Sequence, residues 1–470
     1  MICFKQRRPS KLTGYFCVLA LVGFLFSTAG NKAMAQFGGG FNASQVGGVA
    51  IDAQGAMTDL RQQVRQEVAN KRDQLAREVP PGMREGVELR KISLQALQEA
   101  ISQARLAGDS KTLPPEIRYL GGIQRIQYIF VYPEKKDIVL AGPGEAWRID
   151  ELGQVVGATT GRPVILLQDF LVALRAAFAP EVGPITCSID PTREGIRNLR
   201  TLMASFGRLN GPAQVQQVVA RKQDIEESLG PQTVTVSGVD PTSRFAWTLV
   251  VADYRMKCLG MGLEPAPIAG MPSYLEMLKS HSKDFMPRWW METDYETLLT
   301  DAEGLAWELR GQGVKVLAEE ERISADGKRT RTGKVNKVAR KWAETMTEKY
   351  DELSVVDPIF GQLRNCMDMA VVGALLKSEN LPHKAGLNLD YLLDAESLAT
   401  PAGTVPQSTP SIVSFLKRPR SLVITASGGV LINPYQVIEH PEMSDQLASE
   451  RSSAITKRRQ DVVPGNWCWD

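Results

Sequence analysis

The residues best able to do chemistry are three acids, Glu292, Asp294 and Glu296, which alternate beside Trp289 and Trp290. An aromatic platform next to two carboxyls is how a glycosidase holds and cleaves sugar, one acid protonating the leaving oxygen while the other attacks or activates water. The same spacing fits the solvated face of a strand, because alternate strand residues point to one side. A second candidate is Ser280-His281-Ser282-Lys283, whose spacing sets a lysine one helical turn from a serine nucleophile. The Lys-Thr-Gly element that accompanies such a pair in serine acyl enzymes is missing.

The three histidines, His281, His383 and His440, lie more than 50 residues apart. No His-Glu-x-x-His, Gly-x-Ser-x-Gly, Walker A or dinucleotide glycine motif occurs, so neither a metal nor a cofactor is expected. Cys187, Cys258, Cys366 and Cys468 are widely spaced and form no Cys-x-x-Cys pair. An exported protein can join four cysteines in three ways, but a chain of this length can bury a core without them, and buried free thiols are the expectation.

Any site must be positioned by mixed elements. Val49–Met57 and Trp147–Val155 each read as strand, Asp-containing turn with Gly, and strand, and Leu422–Val430 repeats the order with Thr425 in place of Asp. Leu60, Val64 and Val68 mark one helix; Leu94, Leu97, Ile101 and Ala104 mark a second, ending at Gly108. Residues 123–132 and 137–141 read as paired strands. From residue 164 strands precede helices, and Asp190-Pro191-Thr192 and Asp240-Pro241-Thr242 both follow a strand, with Asp expected as the helix cap. Strands are expected at 288–291, 305–309 and 314–317, then a loop that switches from Glu319–Glu321 to Lys328–Lys341. Such a run is a solvated face or, alternatively, a contact for an anionic polymer. Val335 to Leu353 and Ile359 to Leu375 read as an antiparallel helical hairpin.

The chain has 470 residues, 55 Lys+Arg against 53 Asp+Glu, and 43% hydrophobic residues, an ordinary folded composition. Balanced charge argues against a nucleic-acid binder. Lys5, Arg7, Arg8 and Lys11, an apolar stretch from Tyr15 to Phe26 and Ala33-Met34-Ala35 read as a signal peptide cleaved between Ala35 and Gln36. Cleavage removes five cations and no acid, turning a net charge of +2 into −3, and leaves no transmembrane span. The expected organisation is a signal peptide 1–35, a flexible Gly-rich leader 36–47, an α+β domain 48–162 and a strand-helix domain 163–270. A hairpin and helical-hairpin domain 271–393, a linker 394–411, a returning hairpin 412–440 and a polar tail 441–470 follow. Trp467 and Trp469 in that tail are expected to dock on the body or on a partner.

Val49-Ala50-Ile51-Asp52-Ala53-Gln54-Gly55, Pro115–Val131, Ser188–Thr192, Ala252–Lys257, Gly304–Gly313 and the final Trp-x-Trp-Asp together resemble a secreted domain-of-unknown-function family of planctomycete bacteria. The resemblance covers nearly all of residues 48–435 and the extreme C-terminus. It implies an exported bacterial protein of unassigned activity, and no catalytic residue carries over; Cys468 departs from the aromatic run expected there. The reading is an α+β protein with mixed sheets, antiparallel hairpins, strand-helix units and a C-terminal helical hairpin. It is periplasmic or extracellular, with an envelope component or a protein as partner. Its expected role is non-catalytic binding or structure; the alternative is an envelope-directed hydrolase of glycan or peptide using Glu292, Asp294 and Glu296.

Overall fold

A computed structural model describes residues 45–46, 49–52, 54–59, 79–107, 113–181, 183–207, 212–278, 285–411, 413–415, 425–456 and 465–470. The expected signal peptide, most of the leader, the helix through Leu60, Val64 and Val68, and Ser280–Lys283 lie outside them. The described part is α+β, built on two seven-stranded sheets. β1 (Gln45–Val46), β2 (Val49–Ile51) and β3 (Met57–Asp59) pair antiparallel, so the last leader residues are a strand. Asp52 accepts from the amides of Gln54 and Ala56, and Gly55 takes φ 80°, which is the turn chemistry the sequence carries there.

β4 (Val87–Ser93) runs into the helix Leu94–Ala107, whose Leu94, Leu97 and Ile101 are buried. β5 (Tyr128–Tyr132) and β6 (Asp137–Gly144) form the expected hairpin, as do β7 (Trp147–Ile149) and β8 (Val155–Gly157). Next come β9 (Ile185–Asp190), β10 (Gln232–Ser237), β11 (Phe285–Asp294), β12 (Leu299–Thr300), β13 (Ala306–Glu308), β14 (Gly313–Ile323) and β15 (Arg329–Arg331). β16 (Ser408–Thr409), β17 (Ser427–Ile432), β18 (Glu442–Met443) and β19 (Cys468–Trp469) complete the strands.

One sheet has the order β15-β14-β11-β17-β9-β10-β16, the other β18-β12-β13-β5-β6-β4-β19. The helix Arg244–Gly260 packs on the apolar side of the first sheet, against β9 and β17, and Lys337–Glu348 packs on β14. Behind them Pro358–Ser378 is buried from Ile359 to Leu376 and packs on Leu167–Phe178 and Arg244–Gly260. A helix surrounded on all sides needs no polar stripe, and its sequence shows little amphipathic period.

Several expectations are corrected. The Asp-Pro-Thr aspartates are not the helix caps: Thr192 Oγ1 accepts from Gly195 N at 2.9 Å and Ser243 Oγ from Ala246 N at 3.2 Å. Each helix starts two or three residues later than a cap at Asp would place it, and Thr192 and Ser243, one residue before the first turn, take the capping role instead. The third hairpin copy is a single central strand, β17, parallel to β11 and antiparallel to β9, with 421–424 outside the described residues. The helical hairpin is three helices, Lys337–Glu348, Tyr350–Val356 and Pro358–Ser378. Pro358 sets the start of the last one, as a residue that suits the first helical position. Residues 394–411, expected as a linker, dock on the body: β16 pairs with β10, and a Cβ at Gly403 would strike the Trp247 ring. Among the described residues no helix is long and apolar enough to cross a membrane.

Candidate functional site

Strand alternation builds the site. β9 reads Ile-Thr-Cys-Ser-Ile-Asp, with Ile185, Cys187 and Ile189 buried and Thr186, Ser188 and Asp190 half-buried on the other side. β10 repeats the pattern with Thr233, Thr235 and Ser237 exposed. Registers Thr235↔Ser188, Ser188↔Gly429, Ser427↔Arg288 and Arg288↔Glu319 carry one polar face across five strands. On β11 this face holds Arg288, Trp290, Glu292 and Asp294, while Trp289 and Met291 point into the core.

The middle of that face is one charge network. Arg329 Nη1 lies 2.7 Å from Asp190 Oδ1 and 3.5 Å from Glu321 Oε2. Arg288 lies 3.7 Å from Glu321 and 3.8 Å from Glu319, and its guanidinium stacks 4.6 Å over the Trp290 ring. Ser427 Oγ donates to Glu321 at 2.9 Å. Burial opposes ionisation of Asp190, but the bond and charge of Arg329 outweigh it and hold the carboxyl below its usual range. Burial, with Arg331 adding repulsion, pulls Arg288 below the usual arginine range; its carboxylate neighbours offset only part of this.

β17 can run between β11 and β9 only because two of its residues lack side chains. A Cβ at Gly428 would overlap the Trp289 carbonyl oxygen, and one at Gly429 the Cys187 carbonyl. Beneath the face, on Arg244–Gly260, Lys257 Nζ donates to Asp253 Oδ2 at 2.8 Å and to Ile189 O at 2.6 Å. Burial pushes the Asp253 carboxyl up to about 6 despite the lysine, and one of its oxygens has no hydrogen-bond partner. All four described cysteines are buried, and burial drives the Cys187 and Cys366 thiols well up and Cys468 to about 12.

The sequence-predicted acids fall at one end of this face. Glu292 accepts from the Trp290 indole at 3.0 Å, Asp294 lies 3.9 Å from Lys315, and Glu296, beyond the strand end, lies 3.4 Å from Arg310. Trp289 is not part of a platform: it is fully buried, 4.6 Å from the Trp342 ring and 5.2 Å from Tyr274. His383, in the helix Leu381–Ala385, and His440, between the helix Pro434–Val437 and β18, are exposed, and His281 lies outside the described residues. Trp467 and Trp469 are 1% and 5% exposed, so the docking they were expected to make is on the chain's own body and neither is offered to a partner. Among the described residues no three His, Cys, Asp or Glu side chains group to hold a metal.

Sequence reading missed Arg288, Arg329, Asp190 and Ser427. The alternation in Thr-Val-Thr-Val-Ser and the placement of Lys315, Glu319 and Glu321 at even spacing were usable signals that each strand has a polar side. No curated protein and no solved structure matches the chain. A family model described as a protein of unknown function, DUF1598, matches residues 187–274, the segment that supplies Asp190, β10 and the buried Asp253 and Lys257. Residues 187–274 thus hold a DUF1598 domain of unknown function.

Proposed function

We propose that the chain is exported by residues 1–35, cleaved between Ala35 and Gln36, and acts in the periplasm or outside the cell as a non-catalytic binding protein. The charged run at the N-terminus with its apolar core supports export, and the resemblance to a secreted planctomycete family points the same way. The polar face of the β9–β15 sheet is the binding surface in this reading, with an envelope component as its partner.

One observation carries the non-catalytic role: each candidate acid is engaged by its own neighbour along β11 and just past it. Glu292 takes the Trp290 indole, Asp294 is near Lys315 and Glu296 near Arg310. A glycosidase instead needs two carboxyls facing one bond from opposite sides. Fixed, mutually neutralised charges suit recognition, since they present hydrogen-bonding groups without ordering cost. The hydrolase reading keeps one supporting feature, the Trp290–Glu292 contact on a partly exposed face.

The test uses the chain recovered after export, with its N-terminus sequenced, and isolated envelope polymer. Retention that falls on Arg288→Ala or Trp290→Ala, with no polymer turnover, is the expected result. Turnover that disappears in Glu292→Gln while retention persists would establish the hydrolase instead.

A further inference from the structure

A groove of about 490 Å³ lies away from the sheet face, between the helix Leu94–Ala107 and residues 386–391. We propose that it binds a neutral oligosaccharide, a ligand site that does not depend on the role given to the sheet face. Its volume falls in the range of roughly 300–1,000 Å³ typical of small-molecule sites, large enough for more than an isolated ion.

One wall is a helix face. Gln95, Gln98 and Glu99 stand at i, i+3 and i+4, beside the buried stripe of Leu94, Leu97 and Ile101. The facing wall carries Asn388, Asp390 and Tyr391, over a floor that includes Leu387. The walls are tied together: Gln98 Nε2 donates to Asn388 O at 3.0 Å, Asn388 Nδ2 to Asp390 Oδ2 at 3.0 Å, and the Asp390 amide to Asn388 Oδ1 at 2.6 Å. The amide of Gln95 is itself fixed on Asp137 at 3.0 Å. These bonds leave the carboxamide oxygens of Gln95 and Gln98, the second oxygen of Asp390 and the Tyr391 hydroxyl to meet a ligand.

The lining selects the ligand by elimination. Glu99 and Asp390 outnumber Lys136, so a phosphate or another anion meets net repulsion. Glu99 and Asp390 are two carboxylates only, and no group of three His, Cys, Asp or Glu side chains that could hold a metal is present among the described residues. One leucine and one tyrosine ring are too little apolar surface for an acyl chain. An uncharged sugar fits all of it: its hydroxyls bond the planar carboxamide and carboxylate groups, and its C–H face lies on Tyr391, the arrangement that combines apolar stacking with fixed polar contacts.

The probes are cellotetraose and N-acetylchitotetraose titrated against the full exported chain by calorimetry, with inorganic phosphate as the ionic comparison. Saturable binding of at least one sugar is expected, weakened about tenfold or more by Tyr391→Ala and by Gln95→Ala. Tyr391→Phe keeps most of it, and Trp290→Ala leaves it unchanged while lowering envelope retention, which separates this site from the sheet face. Both groove variants replace partly exposed side chains, and an unchanged thermal midpoint verifies their folding. The proposal is overturned if neither sugar binds at millimolar concentration, if phosphate binds more tightly than both, or if Tyr391→Ala and Gln95→Ala bind as well as the parent.

Discussion

The Asp253 carboxylate and the Lys257 ammonium meet at 2.8 Å one helical turn apart, and neither side chain is exposed. Removing one member leaves the other as an uncompensated buried charge, which costs about 3–5 kcal/mol. Lys257→Met is therefore expected to destabilise the chain by that amount, measured by urea unfolding. Asp253→Asn, which retains a hydrogen-bonding group, should cost less than Lys257→Met; the reverse order would show that the bonds to the Ile189 and Gly428 carbonyls do not hold the lysine without the acid.

The same pair gives a pH dependence. Burial puts the folded-state carboxyl of Asp253 at about 6, above the unfolded value of about 3.9. The folded state then holds the proton more tightly, so the contribution of Asp253 is most favourable below about pH 4 and is lost as pH rises toward 6. Asp190 works the other way, because Arg329 overcomes its burial and holds it below the usual range. Its contribution is present above about pH 4 and is lost as pH falls. Unfolding free energies from pH 3 to 7 should show opposite slope changes for Asp253→Asn and Asp190→Asn relative to the parent; a shared sign would refute the assignment.

Much of the local structure was legible because its signals were local. Asp52 and Gly55 specify the β2–β3 turn, and the Leu94, Leu97 and Ile101 stripe specifies its helix. The strand role of Ser427–Ile432 was not, since hairpin chemistry says nothing of a partner such as β11, more than 130 residues earlier in the chain. The polar network is illegible for the same reason: Asp190, Arg288, Glu321, Arg329 and Ser427 meet only through the registers of five strands. Trp289 and Trp290 differ in fate by strand parity alone, which the sequence could not assign without knowing which side faces Trp342.

Gly428 carries a sharp structural requirement. Its φ of 141° lies outside the region that side chains favour, and an added Cβ would overlap the Trp289 carbonyl in the adjacent strand. Gly428→Ala must push β17 off β11 in the middle of the sheet, a backbone clash that no rotamer relieves. The expected result is loss of soluble folded protein, or a stability drop above about 4 kcal/mol. Gly183→Ala, where the added methyl meets open space, is the matched control and should be neutral.

Thiol reactivity tests the packing around the four cysteines. Each is buried, and burial pushes the Cys468 thiol up to about 12, where almost no thiolate exists at neutral pH. The four described cysteines should therefore show no reaction with a disulfide reagent in buffer and full reaction in guanidinium. Fewer than four of them reacting in guanidinium without reductant would mean that a disulfide has formed.

Arg90 shows how Trp467–Asp470 is held. The guanidinium is fully buried and donates to Asp470 Oδ1 at 2.9 Å, to Asp470 Oδ2 at 3.2 Å and to Gly121 O at 2.6 Å. β19 adds to the β4 edge, and Trp469 donates its indole hydrogen to Ala454 O at 3.2 Å. Asp470→Ala strips the buried guanidinium of its counter-charge and is expected to cost about 3 kcal/mol. Arg90→Met combined with Asp470→Ala removes both charges and fills the space with apolar atoms, so it should recover part of that loss. Urea unfolding of the two single variants and the double variant measures the coupling. If the single costs are below about 0.5 kcal/mol and simply add, the strand is held by its two tryptophans and the ion pair contributes nothing.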